Sequence, residues 1–297
     1  MIQDDIFLMR SLMFVPAHNL KLMESACTKN PDVLLLDLED SVQPVENKPV
    51  ARENIKNWAN LGRFGNKKIF PRVNDRESGQ LLKDIYELTI EGIHGFMYPK
   101  AKKGEDIYFI DKLLETIEYE KGIPIGTFKL IPLIETTAAV LNAQEICKAS
   151  QRVIAIAYGC EDFITDLGGI HDKEGQSLFT PRAMIAMAAK ANNVVPIDTV
   201  HINVHDLDEL EENLKIAKIL GFEGMMVLNP KEIPLVHKYF SPTDEEVANA
   251  NEILLLAEEA KKEGKGVALV NGKFVGPPMI ISSQKTLKKN DLIKKTE

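Results

Sequence analysis

Six stretches of this sequence end an apolar run on residues able to do chemistry. They are Asp37-Leu38-Glu39-Asp40, Pro71-Arg72-Val73-Asn74, Pro99-Lys100, Glu135-Thr136, Gly159-Cys160-Glu161-Asp162 and Asn229-Pro230. Carboxylates gathered at one place repel unless they are protonated, paired with cations or bound to a metal. Glu135 and Asp162 close neighbouring apolar runs, one strand-and-helix unit apart, so both side chains could reach one ion. An oxygen-only ligand set with room for water favours Mg²⁺ over zinc. The open positions of such an ion suit the keto and carboxylate oxygens of a 2-oxo acid, and its Lewis acidity stabilises enolate charge. Arg72 supplies a planar fork for a substrate carboxylate.

A plainer reading stands beside this one. A single acid at a strand end more often caps a helix or pairs with a base than binds a metal. Convergence from several strands is what points to a metal site. Of Asp37, Glu39 and Asp40, one or two are expected to organise Arg52, Lys48 or metal-bound waters. Lys100 could form a Schiff base, as metal-independent aldolases do; with Glu and Asp nearby, a charged hydrogen-bond donor is the favoured role. Cys160 could be a nucleophile, yet no histidine adjoins it, and a small buried residue is the simpler role. Of the six histidines, His201 and His205 stand four apart in His201-Ile202-Asn203-Val204-His205, yet none is taken as a metal ligand, and His18 alone, in the first loop, is kept as a contact candidate.

The elements that must position these residues alternate along the chain. Candidate strands are Leu12–Val15, Val33–Asp37, Lys68–Arg72, Gly95–Tyr98, Lys129–Ile134, Val153–Tyr158, Ile197–Val200 and Gly224–Leu228. Between them the spacing predicts helices over Leu20–Thr28, Val50–Trp58, Gly79–Thr89, Ile107–Glu118, Thr137–Lys148, Pro181–Ala191 and Leu207–Leu220. The strands are continuous apolar runs, as expected when helices cover both faces. Eight such units predict a (β/α)₈ TIM barrel, with an open doubly wound sheet as the alternative. In a barrel the site lies at the C-terminal ends of the strands, where the six stretches fall. Thr180-Pro181 predicts an N-cap followed by proline at the first helical position, Ser78-Gly79 a second helix start, and Gly221 a C-terminal cap. From Ser241 the pattern changes: a helix capped by Thr243 and running to about Lys262, a hairpin of Val267–Val270 and Lys273–Val275 about Asn271-Gly272, and a last helix after Pro277-Pro278. The expected division is a catalytic barrel over 1–240 and a helix–hairpin–helix extension or lid over 241–297.

Composition bounds the rest. With 297 residues, 44% hydrophobic and 27% charged, the chain reads as a soluble globular protein that needs no disulfide to close its core. Cys27, Cys147 and Cys160 make no C-x-x-C pair, which favours a reducing, cytoplasmic setting. A net charge of −8 argues against a nucleic-acid partner. Neither a signal peptide nor a membrane span is expected.

The motifs Arg10-Ser11-Leu12-Met13-Phe14-Val15-Pro16, Leu36-Asp37-Leu38-Glu39-Asp40-Ser41-Val42, Pro71-Arg72-Val73-Asn74, Pro132-Leu133-Ile134-Glu135-Thr136 and Gly159-Cys160-Glu161-Asp162-Phe163 resemble the citrate lyase β-subunit-like family of the HpcH/HpaI aldolase superfamily. The likeness continues through Gly221-Phe222-Glu223-Gly224, Asn229-Pro230 and Phe240-Ser241-Pro242-Thr243. It implies Mg²⁺ held by Glu135 and Asp162, Arg72 on a substrate carboxylate, and backbone amides near Gly159 and Cys160 on the 2-oxo acid. Asn19 and Lys21 would lie near a coenzyme A or carrier arm, and a homotrimer or hexamer is implied. The implied activity is carbon–carbon cleavage of a 3-hydroxyacyl thioester, of citramalyl-CoA or malyl-CoA type, to acetyl-CoA or another acyl-CoA plus pyruvate, glyoxylate or oxaloacetate. The alternatives are a citrate lyase β subunit acting on a carrier-bound citryl group, and a catalytically silent thioester-binding homologue. The chain departs from the family at Gly272-Lys273-Phe274-Val275-Gly276, where Gly276 stands in place of a lid aspartate, so that Glu39, Asp40 or a metal-bound water would serve as the acid–base group. Its first loop, Pro16-Ala17-His18-Asn19, also lacks the family's usual glycine.

Overall fold

The computed structural model describes residues 7–172, 175–262, 268–270 and 273–296. It separates into two compact units, Met9–Val236 and a second made of His237–Glu297 with Met1–Leu8.

The first unit is built on eight parallel strands: β1 (Ser11–Pro16), β2 (Val33–Asp37), β3 (Lys68–Ile69), β4 (Gly95–Tyr98), β5 (Lys129–Ile134), β6 (Ala155–Tyr158), β7 (Val195–Asp198) and β8 (Gly224–Val227). Their order is β3-β2-β1-β8-β7-β6-β5-β4. Arg72 completes the circuit, bridging Asp37 on one side and Met97 on the other. The result is the (β/α)₈ TIM barrel that the alternating runs predict. β2, β4, β6 and β8 are buried at every position, as both-sided coverage requires.

Departures from the expected elements have local causes. β3 is short because Pro71 has no amide to give the ladder; pairing resumes at Arg72, whose N–H donates to Leu36 O at 3.0 Å. β7 starts two residues early, with Val195 N–H donating to Ile154 O at 3.0 Å and Glu223 N–H to Pro196 O at 3.0 Å. Pro181 is not at a helix start. The helix is Gln176–Ala191, begun by Asp172, whose carboxylate accepts from the amides of Gln176 (2.8 Å) and Ser177 (2.9 Å), so proline lies inside it. Ser78 belongs to a short 3₁₀ turn closed by Gly79 at φ 69°, and the α-helix follows at Leu81. The Thr137–Lys148 stretch divides into Thr137–Leu141 and Ala143–Lys148 at Asn142, whose side chain donates to Lys102 O at 2.9 Å. Gly221 does cap its helix, at φ 91°.

The second unit contains the helix Asp244–Lys262, an antiparallel pair Ala268–Val270 and Lys273–Val275, and the helix Pro277–Thr296. Thr243 forms a capping box with Glu246: Glu246 N–H donates to Thr243 Oγ1 at 3.1 Å and Thr243 N–H to Glu246 at 2.8 Å. Ile253 and Val275 form its core with Leu256, Met279 and Ile280 packed against them. The predicted Asn271-Gly272 turn lies outside the described residues. Among the described residues no helix is long and apolar enough to cross a membrane.

Candidate active site

At the C-terminal end of β2, Asp37 is buried and accepts five hydrogen bonds. Arg72 Nε donates at 2.7 Å and Nη2 at 2.8 Å, Ser41 Oγ at 2.5 Å, and the amides of Glu39 and Ser41 at 3.0 Å each. The Arg72 guanidinium beside it holds its carboxyl below the ordinary range despite burial, while the acids around Arg72 raise that guanidinium still further. Arg72 also stacks over the Phe14 ring at 4.9 Å. One edge of its fork is therefore committed to Asp37. The Nη1 end remains, 2.9 Å from Glu39 and 3.2 Å from Asp40, which is an exposed carboxylate.

Glu39 is the group in the least settled environment. It is 5% exposed and touches Nη1 of Arg72 and Nζ of Lys100 at 2.9 Å each, yet neither oxygen receives a well-aligned hydrogen bond. Burial pushes its carboxyl up to about 7, with the Asp40 charge adding to the effect and the two cations opposing it.

Lys100 joins Glu39 to Glu135. Its backbone takes the left-handed conformation, φ 54°, which costs a residue with a side chain about 1–2 kcal/mol. In that conformation its amide donates to Glu135 Oε1 at 2.5 Å, while its ammonium lies 2.9 Å from Glu39 and 3.4 Å from Asp75. Against burial, which lowers it, the flanking carboxylates raise the ammonium above its ordinary range, which favours the charged hydrogen-bond donor over the Schiff base.

Glu135, at the end of β5, is 1% exposed, and its carboxyl is raised well above the ordinary value. Burial is the main cause; the charges of Glu39 and Asp162 add to it, against the Lys100 amide and Arg72. Gly159 makes room for it: a Cβ there would lie 2.8 Å from Glu135 Cβ and 3.1 Å from Oε2. Gly159 leads into the helix Cys160–Leu167, whose exposed first turn carries Glu161 and Asp162. The Cys160 amide donates to Thr199 Oγ1 at 3.2 Å, and burial pushes the Cys160 thiol up to about 12. A thiol so rarely ionised is no nucleophile.

Other expectations need correction. Lys48 does not pair with the β2 acids. Its ammonium donates to the backbone oxygens of Leu38 (2.9 Å) and Glu39 (3.0 Å) and to Asn74. Arg52 pairs with the buried Asp84 at 2.7 Å, which also accepts from Asn74. Both hold the loops under the acids without neutralising them. Asn19 caps the helix Leu20–Cys27 by accepting from Leu22 N–H at 3.2 Å, with Lys21 exposed beside it. His18 is half-buried, and its Nδ1 has no hydrogen-bond partner. The sequence reading missed Asp37 as the anchor of Arg72, the left-handed Lys100, Asp75, and Thr199 on the Cys160 amide. Only Asp37 carried a signal, through its place in the acidic run.

Among the described residues no three His, Cys, Asp or Glu side chains converge as a ready-made metal cage. The donor chemistry nevertheless fits a hard divalent ion. Glu135 is a buried carboxyl pressed by two further carboxylates, and a cation would relieve that repulsion. Two carboxylates completed by water or substrate oxygens make an ordinary Mg²⁺ environment.

The chain belongs to the HpcH/HpaI aldolase/citrate lyase family, whose pattern it matches over residues 10–230. The membership expected from the motifs is thus borne out. The citrate lyase subunit beta of Leuconostoc mesenteroides subsp. cremoris is 32% identical over 95% of this chain and 93% of its own length. The L-malyl-CoA/beta-methylmalyl-CoA lyase of Rhodobacter capsulatus is 29% identical, covering 96% and 95%. Among solved structures, CitE of Mycobacterium tuberculosis in complex with magnesium, acetoacetate and coenzyme A superposes with a TM-score of 0.73. It has 25% identity and covers 94% of this chain and 97% of that one.

Proposed function

We propose that this protein is a Mg²⁺-dependent carbon–carbon lyase that cleaves a 3-hydroxyacyl thioester of the citramalyl-CoA or malyl-CoA type into acetyl-CoA, or another acyl-CoA, and a 2-oxo acid. The observation that carries this reading is the buried Glu135, pressed by Glu39 and Asp162, at the mouth of a barrel whose relatives are lyases. That CitE binds magnesium, acetoacetate and coenzyme A supports the same ligands here. Glu135 and Asp162 would hold the Mg²⁺, which supplies a Lewis acid for the oxygens of the 2-oxo acid.

The chain's own residues supply the remaining steps. The Nη1 end of Arg72, shared with Glu39 and Asp40, would take the substrate carboxylate in exchange for the exposed Asp40. Glu39, titrating near neutrality, takes the proton of the substrate hydroxyl as the carbon–carbon bond breaks, and returns it to the α-carbon of the departing thioester enolate. Asp40 shares that role from the exposed side of Arg72. The Gly159 amide is given to Ile134 O and the Cys160 amide to Thr199 Oγ1, so an oxo acid would reach the Cys160 N–H only by displacing Thr199, and Asn19 and Lys21 would face the thioester arm. This assignment uses no lid aspartate, so Gly276 leaves the acid–base function intact. The barrel over 1–240 carries the chemistry and 241–297 forms its extension. The protein works in the cytoplasm as a homo-oligomer, a trimer or hexamer.

A second reading, a citrate lyase β subunit acting on a citryl group on an acyl carrier, is favoured by the 32% identity to such a subunit. A panel of citramalyl-, malyl- and citryl-CoA, assayed for released acetyl-CoA with and without EDTA, tests both. Turnover on a free coenzyme A ester that EDTA abolishes is expected. Full activity in metal-free buffer rejects the metal role, and activity confined to a carrier-bound citryl group selects the second reading.

A further inference from the structure

The helix Cys160–Leu167 is fastened to the end of β5 at two points. At its start, Gly159 N–H donates to Ile134 O at 2.9 Å, and the missing Cβ lets the backbone lie against Glu135. Near its end, one oxygen of Asp166 accepts from both the amide (2.7 Å) and the hydroxyl (2.6 Å) of Thr137. Thr137 is two residues beyond Glu135 and opens the next helix. Asp162 lies between the two attachments. It is one helical turn before Asp166, and residues four apart share a helix face. The face tied to β5 is therefore the face that carries Asp162.

We propose that the Asp166–Thr137 contact is a positioning clamp that sets Asp162 against Glu135 and thereby sets the affinity of the metal site. This rests on the reading of Glu135 and Asp162 as Mg²⁺ ligands. Asp166 touches neither substrate nor metal; it acts by holding the helix on which one ligand stands. A single Asp166 oxygen accepts both bonds through its two lone pairs, and the Thr137 donors keep the carboxyl below its ordinary range. A Thr hydroxyl at 137 is part of the clamp, whereas its methyl group is not.

Titration calorimetry of Mg²⁺ into the full-length protein, with melting temperature followed in metal-free buffer, tests the clamp. Asp166→Ala and Thr137→Val should weaken Mg²⁺ binding about tenfold, the low end of the effect of removing an outer-sphere partner. Thr137→Ser keeps both donors and should bind as the unaltered protein does; Asp166→Asn should fall between. Saturating Mg²⁺ should restore kcat to Asp166→Ala, with only the Mg²⁺ requirement raised. Mg²⁺ affinity within twofold of the unaltered protein in both Asp166→Ala and Thr137→Val, with a lowered melting temperature, overturns the clamp and leaves a structural cap. Should Asp166→Ala fail to fold, Thr137→Val against Thr137→Ser decides by the same criterion. If the unaltered protein binds no Mg²⁺, the two-carboxylate site and the clamp fall together, an outcome separate from loss of the clamp alone.

Discussion

Two arginine clusters in this barrel use nearly the same ingredients to opposite ends. Arg152, just before β6, donates to Asp111 at 2.6 Å and to the two oxygens of Glu118 at 2.8 and 2.6 Å, with Phe128 O as a further acceptor. Glu118 is wholly buried and is completed by the amides of Gly126 (2.9 Å) and Phe128 (3.0 Å). Every charge there has its partners. Around Arg72, only Asp37 is so completed. Glu39 touches two cations without an aligned bond, and Glu135 receives a single amide and the repulsion of its neighbours. A closed network at the N-terminal end of the strands holds the fold. An open one at the C-terminal end retains unspent carboxylate oxygens, and these are what a metal and a substrate require.

That contrast can be broken by mutation. The largest effect expected is from Glu135→Ala or Asp162→Ala. Each should reduce kcat by about a thousandfold or more, the loss of a Lewis acid worth several kcal/mol, with melting temperature in metal-free buffer held or raised. A fall in stability with turnover intact would reverse the roles of the two clusters. The converse is Arg152→Met. It strands Glu118 and should cost about 3–5 kcal/mol of stability, with kcat near that of the unaltered enzyme at a temperature where it remains folded. Denaturant unfolding followed beside steady-state kinetics checks both.

A smaller effect concerns pH. Glu39 is raised from 4.5 to about 7 in the folded protein, so the native state holds a proton that the unfolded chain releases. Its contribution to stability is present below about 4.5 and is lost as pH rises through about 7. Glu39→Gln should flatten that slope in metal-free buffer and remove a kinetic step near neutrality from the pH profile of kcat/KM. A variant with an unchanged profile would show that another group moves the proton.

Much of this was legible in the residues. The eight apolar runs gave the barrel because parallel strands under helices leave a continuous hydrophobic trace, and Glu135, Asp162 and Arg72 stood out as polar endings to such runs. What was not legible depends on distance in space. Pairing of Arg72 with Asp37 and of Lys48 with backbone oxygens is decided by loop conformations that residue type does not specify. The left-handed Lys100 could not be foreseen, since lysine has no preference for that region. Pro181 misled because proline usually opens a helix, and here Asp172 supplies an earlier cap.

Arg72 joins β2 to β4 through its backbone while its side chain organises the acids. The cylinder's last seam and the candidate site are thus stitched by the same residue. A chain unzipped along that seam has no site to offer, however much of its helical shell survives. A substitution that opened this seam would be expected to scatter the acids as well as the strands.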